Sequence, residues 1–346
     1  MRRLSILCRL VLGVIFVTGA ILPTRAQSAA SFEGLGRVAG WAGSFGLGVA
    51  GDGSVVVGSG SLPNGAPAAF RWNAVEGMQP LDNNVYARQT SLDGSLIVGQ
   101  TIGPDSQWHG FRWTAAGGTE ILPLYDAIDV SADGNVVVAL ALRWTAPGFV
   151  ENLGGLGGGY TSAEGVSADG QTVAGWSVTS IPAQFGNLKH AFRWTPATGM
   201  RDLGALRDGT ESLAHAISGN GAVIVGEARN KDQFWHAFRW TAESGMVDLN
   251  TLGGTMSAAH AASNDGSVIV GKSLITSATG SERAFRWTDT RQMQDLRREL
   301  LDAGVTAVQN WILLVATDVS ADGTVIVGYG LNPNKEYEAF RAVLPK

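Results

Sequence analysis

Near-copies of the stretch His190-Ala191-Phe192-Arg193-Trp194-Thr195 recur along most of this chain. They read Ala69-Phe70-Arg71-Trp72, Gly110-Phe111-Arg112-Trp113, Leu142-Arg143-Trp144, Ala237-Phe238-Arg239-Trp240, Ala284-Phe285-Arg286-Trp287 and, near the end, Ala339-Phe340-Arg341-Ala342. A unit this short cannot bury its own apolar face, so the copies must stack on one another into one repeat domain.

A second motif precedes each copy: Gly51-Asp52-Gly53, Ser91-Leu92-Asp93-Gly94, Ser131-Ala132-Asp133-Gly134, Ser167-Ala168-Asp169-Gly170, Ser218-Gly219-Asn220-Gly221, Ser263-Asn264-Asp265-Gly266 and Ser320-Ala321-Asp322-Gly323. An alternating segment such as Ala214-His215-Ala216-Ile217 leads into it, and a β-branched run such as Val223-Ile224-Val225 leads out. Asp-Gly and Asn-Gly tolerate the positive φ of a tight primed turn, so each motif predicts a hairpin. The arginine-aromatic unit supplies a third strand, with Phe192 and Trp194 on one face and Arg193 on the other. Met200 to Leu203, with its parallels Met246 to Leu249 and Met293 to Leu296, supplies a fourth.

The turn glycines recur about every 45 residues. Four antiparallel strands at that period, seven times over, predict an all-β, seven-bladed β-propeller. Two irregularities stand out. The third unit has almost no loop between its second and third strands, and residues 297–305 read as a short helical insertion. The last unit lacks a fourth strand, so residues 31–36 are expected to pair beside residues 338–343 and close the ring.

Arg2, Arg3 and Arg9 precede a short apolar run and Thr24-Arg25-Ala26, which reads as a secretory signal covering residues 1–26. Residues 27–346 then form a single domain, secreted to the periplasm or the exterior, without a membrane span and expected to be monomeric. Cleavage removes four arginines and no acid, taking the formal net charge from −5 to −9. That charge argues against a nucleic-acid partner. Cys8 is the only cysteine and lies within the signal, so no disulfide framework is expected.

The succession Ser-x-Asp-Gly, Val/Ile run, His-Ala-Phe-Arg-Trp-Thr and Gly-Met-x-Asp-Leu-Gly resembles the HAF repeat of secreted bacterial proteins, most closely over residues 166–203 and 217–249. The resemblance implies export and a repeat fold, and it brings no catalytic residues with it. Some such proteins resemble autotransporter passengers or carry sorting tails. The sequence ends at Pro345-Lys346, just past its last repeat, and neither feature is expected here.

The histidines His109, His190, His215, His236 and His260 and the turn aspartates fall in repeated registers, which points to structural use; no catalytic residue, metal site or cofactor is expected. The repeated arginines Arg71, Arg112, Arg143, Arg193, Arg239, Arg286 and Arg341 are expected to be buried, each pairing with a turn aspartate or a carbonyl. The glycine-rich stretch of residues 154–159 reads as a crossing between blades, since no phosphate-loop pattern follows.

Three functions remain open: a binding or scaffold propeller for a glycan or protein partner, an extracytoplasmic glycan hydrolase or lyase, and a structural cell-surface protein. Variable loops held on a rigid frame carry binding. The loops after the second strand and the crossings between blades share one face, and their unrepeated aromatics Trp108, Trp176, Phe185, Phe234, Trp235, Tyr329 and Tyr337 are the candidate contacts, Trp108 and Trp235 foremost.

Overall fold

The computed structural model describes residues 29–346 apart from positions 64, 65, 84 and 185. The signal segment and Phe185 therefore lie outside the described residues. Seven four-stranded antiparallel sheets form a β-propeller. Blades 1 to 6 each run in sequence order from the inner to the outer strand, as in blade 5 with Ser212–Ile217, Ile224–Arg229, Trp235–Thr241 and Gly245–Asp248. Blade 7 is built from both ends of the domain. Ser31–Gly34 lies outside Tyr337–Val343, with Ser31 opposite Val343 and Gly34 opposite Phe340, and Leu35 extends the ladder by donating its N–H to the Ala339 carbonyl at 2.9 Å.

The apolar core lies between blades. Adjacent residues of each second strand point to opposite sheet faces. Val55 and Val57 therefore pack with Val85, Ile97 and Phe111 of blade 2, while Val56 packs with Val325 and Val327 of blade 7. Six such strands carry a glycine opposite the repeat phenylalanine. At Gly175 a Cβ would lie 2.0 Å from the Ser162 carbonyl oxygen and 3.0 Å from the Phe192 ring. Phe70, Phe111, Phe192, Phe238, Phe285 and Phe340 are all completely buried; Trp72, Trp194 and Trp287 are buried, whereas Trp113 and Trp240 are half-buried.

The Ser-x-Asp-Gly turn differs from the expected two-residue primed hairpin. Only the glycine takes positive φ, as at Gly94 (71°) and Gly170 (70°). In blade 4 the Gly170 N–H donates to the Ser167 carbonyl at 2.8 Å, and the Ser167 N–H to the Thr172 carbonyl at 2.9 Å. The Ser167 hydroxyl donates to Asp169 at 2.6 Å and accepts the Thr172 N–H at 2.9 Å, while Asp169 accepts the Gln171 N–H at 2.9 Å. Serine and aspartate thus satisfy the backbone of a wider loop, which relieves the aspartate of positive φ. The Ser167 hydroxyl also holds the Asp169 carboxyl below its ordinary range. The x residues join into a closed circuit of inter-blade backbone bonds, from Gly51 through Leu92, Ala132, Ala168, the Gly219-Asn220 pair, Asn264 and Ala321 back to Gly51.

The recurrent His-Ala-Phe stretch also acquires a physical reason. His190 Nδ1 meets both Asp202 oxygens at 2.9 Å, and His236 Nδ1 meets Asp248 at 2.9 Å, tying third strand to fourth. The following alanine N–H donates to a serine of the next blade, Ala191 to Ser212 and Ala237 to Ser257, each at 2.8 Å.

The arginines depart in part from expectation. Only Arg143 and Arg286 are fully buried; the other five are half-buried. Arg143 donates twice to the Gly170 carbonyl of the next blade at 3.1 and 3.0 Å, and Arg341 donates to the Gly53 carbonyl at 3.1 Å. Arg112 and Arg143 also lie over Trp144 and Trp194 of the following blades, at 5.1 and 5.9 Å. Among the described residues, the ion pairs of Arg71, Arg112, Arg143, Arg286 and Arg341 go to Glu76, Glu120, Glu151, Glu299 and Glu33, while serine and backbone N–H groups hold turn carboxylates such as Asp93, Asp133 and Asp169.

Blade 3 is the short one. Leu140, at φ 50°, turns Val136–Ala139 directly into Leu142–Thr145, and the inner strand shrinks to Asp129–Val130. The insertion forms an α-helix, Leu296–Asp302, followed by a 3-10 turn, Thr306–Val308. Asp295 caps the helix by accepting the Arg298 N–H. No helix among the described residues is long and apolar enough to cross a membrane.

Candidate functional site in the central channel

The inner strands carry a feature that motif reading passed over. In six of the seven blades the first ladder slips by one residue, so the residue five places before the turn Asp or Asn is left unpaired. Around the ring this position holds Leu47, Arg88, Ile128, Glu164, His215, His260 and Thr317. The residue before it is always glycine or alanine, from Gly46 to Ala316. The small residue lets neighbouring inner strands approach, while the bulged residue is directed into the channel. All seven line a cavity of 320 Å³, and the x residues of the turns bound its far end; His215 and His260 come from adjacent blades and Arg88 from the opposite side.

Arg88, Glu164 and two histidines therefore converge on one cavity, although the histidines fall in repeated registers. Arg88 makes a two-pronged pair with Asp126 at 3.0 and 2.6 Å and keeps almost half its side chain exposed. Glu164 accepts the Ser162 hydroxyl at 2.7 Å and the Trp176 indole N–H at 3.2 Å. His215 and His260 stack with ring centroids 5.8 Å apart, and His215 Nε2 lies 3.6 Å from Glu227. Burial, with the nearby His215 and Lys272, pushes His260 down to about 3, so it is neutral at physiological pH. Its Nε2 is enclosed without a hydrogen-bond partner among the described residues.

Asp129 and Asp318 occupy the next position. Asp129 accepts the N–H groups of Val130 and of Val166 in the next blade, both at 2.8 Å. Asp318 likewise accepts from Val319 and from Val49, at 2.8 Å, and takes a further bond from Gln89 at 3.1 Å. Burial pushes Asp129 up to about 7 and Asp318 up to about 6, against the opposing pull of these N–H donors. Among the described residues, no group of three or more His, Cys, Asp or Glu side chains is arranged to hold a metal ion.

The candidate aromatics form separate groups away from the channel wall. Trp108 packs on Tyr86 at 5.9 Å, and Trp235 lies under Arg229 at 4.6 Å beside the exposed Phe234. Tyr329 and Tyr337 both meet Phe45, at 5.1 and 5.7 Å. Trp176 stacks with Tyr160 at 5.3 Å and under Lys189 at 5.1 Å. Trp176 is bonded to a channel residue, Glu164. The structure thus adds Arg88, Asp129, Glu164, His215, His260 and Asp318 to the candidate site. Aligning the repeats on the turn aspartate would have exposed the bulge column, since it varies beside a column of glycine and alanine.

No protein-family model matches the chain, and no curated protein matches it. Among solved structures it is similar to the β-propeller domain of the Trilobed protease from Pyrococcus furiosus, with a TM-score of 0.59 and 10% identity over 88% of this chain and 94% of that one. That domain has an open velcro topology, whereas here the N-terminal strand completes blade 7. A puromycin-hydrolyzing peptidase from Mycobacterium tuberculosis matches with a TM-score of 0.51 and 15% identity over 92% of this chain, which spans 55% of the peptidase. At such identities the likeness establishes the propeller fold alone.

Proposed function

We propose that this protein is a HAF-type binding propeller that works outside the cytoplasm and takes a glycan or protein segment at its central channel. The observation that carries this reading is the bulge column, which offers a different side chain from each blade while the scaffold around it repeats. Binding sites need that combination of a rigid frame and locally free positions. The column mixes a cation, a carboxylate and two imidazoles with aliphatic groups, a lining suited to a polar ligand. The aromatics Trp108, Trp176 and Trp235 would extend the contact on the face of the variable loops.

A hydrolase or lyase is less well supported. Asp129 and Asp318, the channel carboxylates pushed up by burial, each hold backbone N–H groups of two blades. The test is a glycan array together with capture from cell-envelope extracts, using wild type, Arg88→Ala/Glu164→Gln and Trp108→Ala/Trp235→Ala. The reading expects a ligand that the channel variant loses while remaining folded. A ligand retained by that variant but lost by the tryptophan variant would move the site to the loops, and capture of nothing by wild type would favour a structural role.

A further inference from the structure

A second cavity, of 470 Å³, lies between blades 6 and 7 on the face of the variable loops, lined in part by Arg283, Arg297, Gln309, Asn310 and Lys335. Its cationic character has a traceable origin. Arg283 occupies the position of His190 and His236 in the repeat. In blades 4 and 5 that histidine is held by the aspartate of Met-x-Asp-Leu. In blade 6 the corresponding Asp295 instead caps the inserted helix, accepting the Arg298 N–H at 3.0 Å. Arg283 therefore pairs with no carboxylate among the described residues, and its guanidinium donates to the Glu282 carbonyl at 2.7 Å.

The other two cations are similarly disposed. Arg297, on the same helix, donates to the Val308 carbonyl at 3.3 Å and to the Gln309 carbonyl, which fixes its guanidinium against the insertion. Lys335 stands exposed at the tip of a loop of blade 7, with φ 65°. None of the three forms an ion pair among the described residues. Two acids of blade 7 are engaged elsewhere: Glu336 pairs with Arg37 at 2.6 Å, and Glu338 accepts from the Gly36 N–H at 2.9 Å and from Asn332 at 2.7 Å. Three positive charges thus share a concave site in a chain of net negative charge.

We infer that this cavity binds an acidic saccharide. Arg283 and Lys335 receive its carboxylate or sulfate, the fixed guanidinium of Arg297 adds a third positive charge, and the exposed amides of Gln309 and Asn310 meet hydroxyl groups. Guanidinium groups bind two oxygens of a carboxylate or a tetrahedral oxyanion with parallel bonds, and amides serve hydroxyls as both donors and acceptors. The site is separate from the channel and does not depend on the channel being occupied.

The test is calorimetric titration with polygalacturonate, a sulfated dextran, neutral dextran and sodium sulfate, using wild type and the Arg283→Gln/Lys335→Gln variant. Arg297 is left in place because its carbonyl bonds support the insertion. Binding of one or both acidic polymers but not neutral dextran, weakened at least about tenfold in the variant, would support the inference. A thermal melt verifies that the variant remains folded. Equal affinity in wild type and folded variant would overturn it, as would the absence of binding to either acidic polymer. Sulfate ion binding as tightly as a saccharide charge would overturn the saccharide assignment. Loss of acidic-polymer binding in Arg88→Ala/Glu164→Gln, with Arg283 and Lys335 intact, would place the ligand in the channel instead.

Discussion

The turn circuit and the bulge ring lie only a few residues apart on the same inner strands, yet they obey opposite rules. At the turns, serine, aspartate and glycine each satisfy a specific backbone demand. Gly221, the counterpart of Gly170, takes the same positive φ even where asparagine replaces the aspartate. At the bulge the side chain leaves the ladder and faces the cavity, so leucine, arginine, glutamate and histidine are all accommodated. A position varies where the backbone makes no use of its side chain. The comparison also separates blades 4 and 5, where the His–Asp tie is intact, from blade 6, where a helix cap takes the aspartate and frees an arginine.

The largest effect should come from the inter-blade core that supports both rings. Phe192→Ala removes a completely buried ring between blades 3 and 4 and should cost about 3–5 kcal/mol, measured by denaturant unfolding. A variant as stable as wild type would show that the blades do not depend on these aromatics. At the turn, Ser167→Ala removes one bond to Asp169 and strands the buried Thr172 N–H. It should cost about 1–3 kcal/mol in the same measurement. A change as small as that expected at the bulge would erase the contrast between the two rings.

The raised carboxylates give a pH test. Asp129 is protonated more readily in the folded chain than in the unfolded one, so its contribution is greatest below about pH 4. It is lost as pH rises toward about 7. Asp318 behaves alike up to about pH 6. His260 acts in reverse: its neutral form favours folding above its ordinary range, and that advantage fades as pH falls toward about 3. The measurement is therefore the stability difference between wild type and Asp129→Asn across pH 4–7. It should shift in favour of the variant as pH rises, by at most about 1.4 kcal/mol per pH unit. A flat difference would contradict the raised carboxyl.

The smallest stability effect is expected at the bulge. Glu164→Gln should change stability by no more than about 1 kcal/mol, because the amide oxygen still accepts from the Ser162 hydroxyl and the Trp176 indole. A loss as large as that of Phe192→Ala would make the bulge ring structural and weaken the case for a channel ligand.

The repeat made the blade count, the strand order and the closing strand legible. Phe32 can sit against Phe340, with centroids 5.8 Å apart, only if residues 31–34 complete blade 7. The short loop of blade 3 and the inserted helix were also visible as breaks in a regular pattern. The channel site was not, because a bulge changes which way one residue faces without altering the residue types that mark a strand. The turn was misjudged for a related reason: Asp-Gly suits a two-residue hairpin, but the serine two places earlier supplies bonds that stabilise a wider one.

What the sequence determined by itself is therefore the scaffold. Its period, alternation and turn residues act through local backbone preference and sheet geometry, which each repeat states again. Tertiary structure decided which unlike residues become neighbours. Closing the ring sets Arg88, Glu164, His215 and His260 around one cavity, although 172 positions separate the first from the last. Capping the inserted helix diverts Asp295 and leaves Arg283 facing a cavity without its blade's carboxylate. Both outcomes depend on distances across the ring and on competition for a single side chain, neither of which is written in any one repeat.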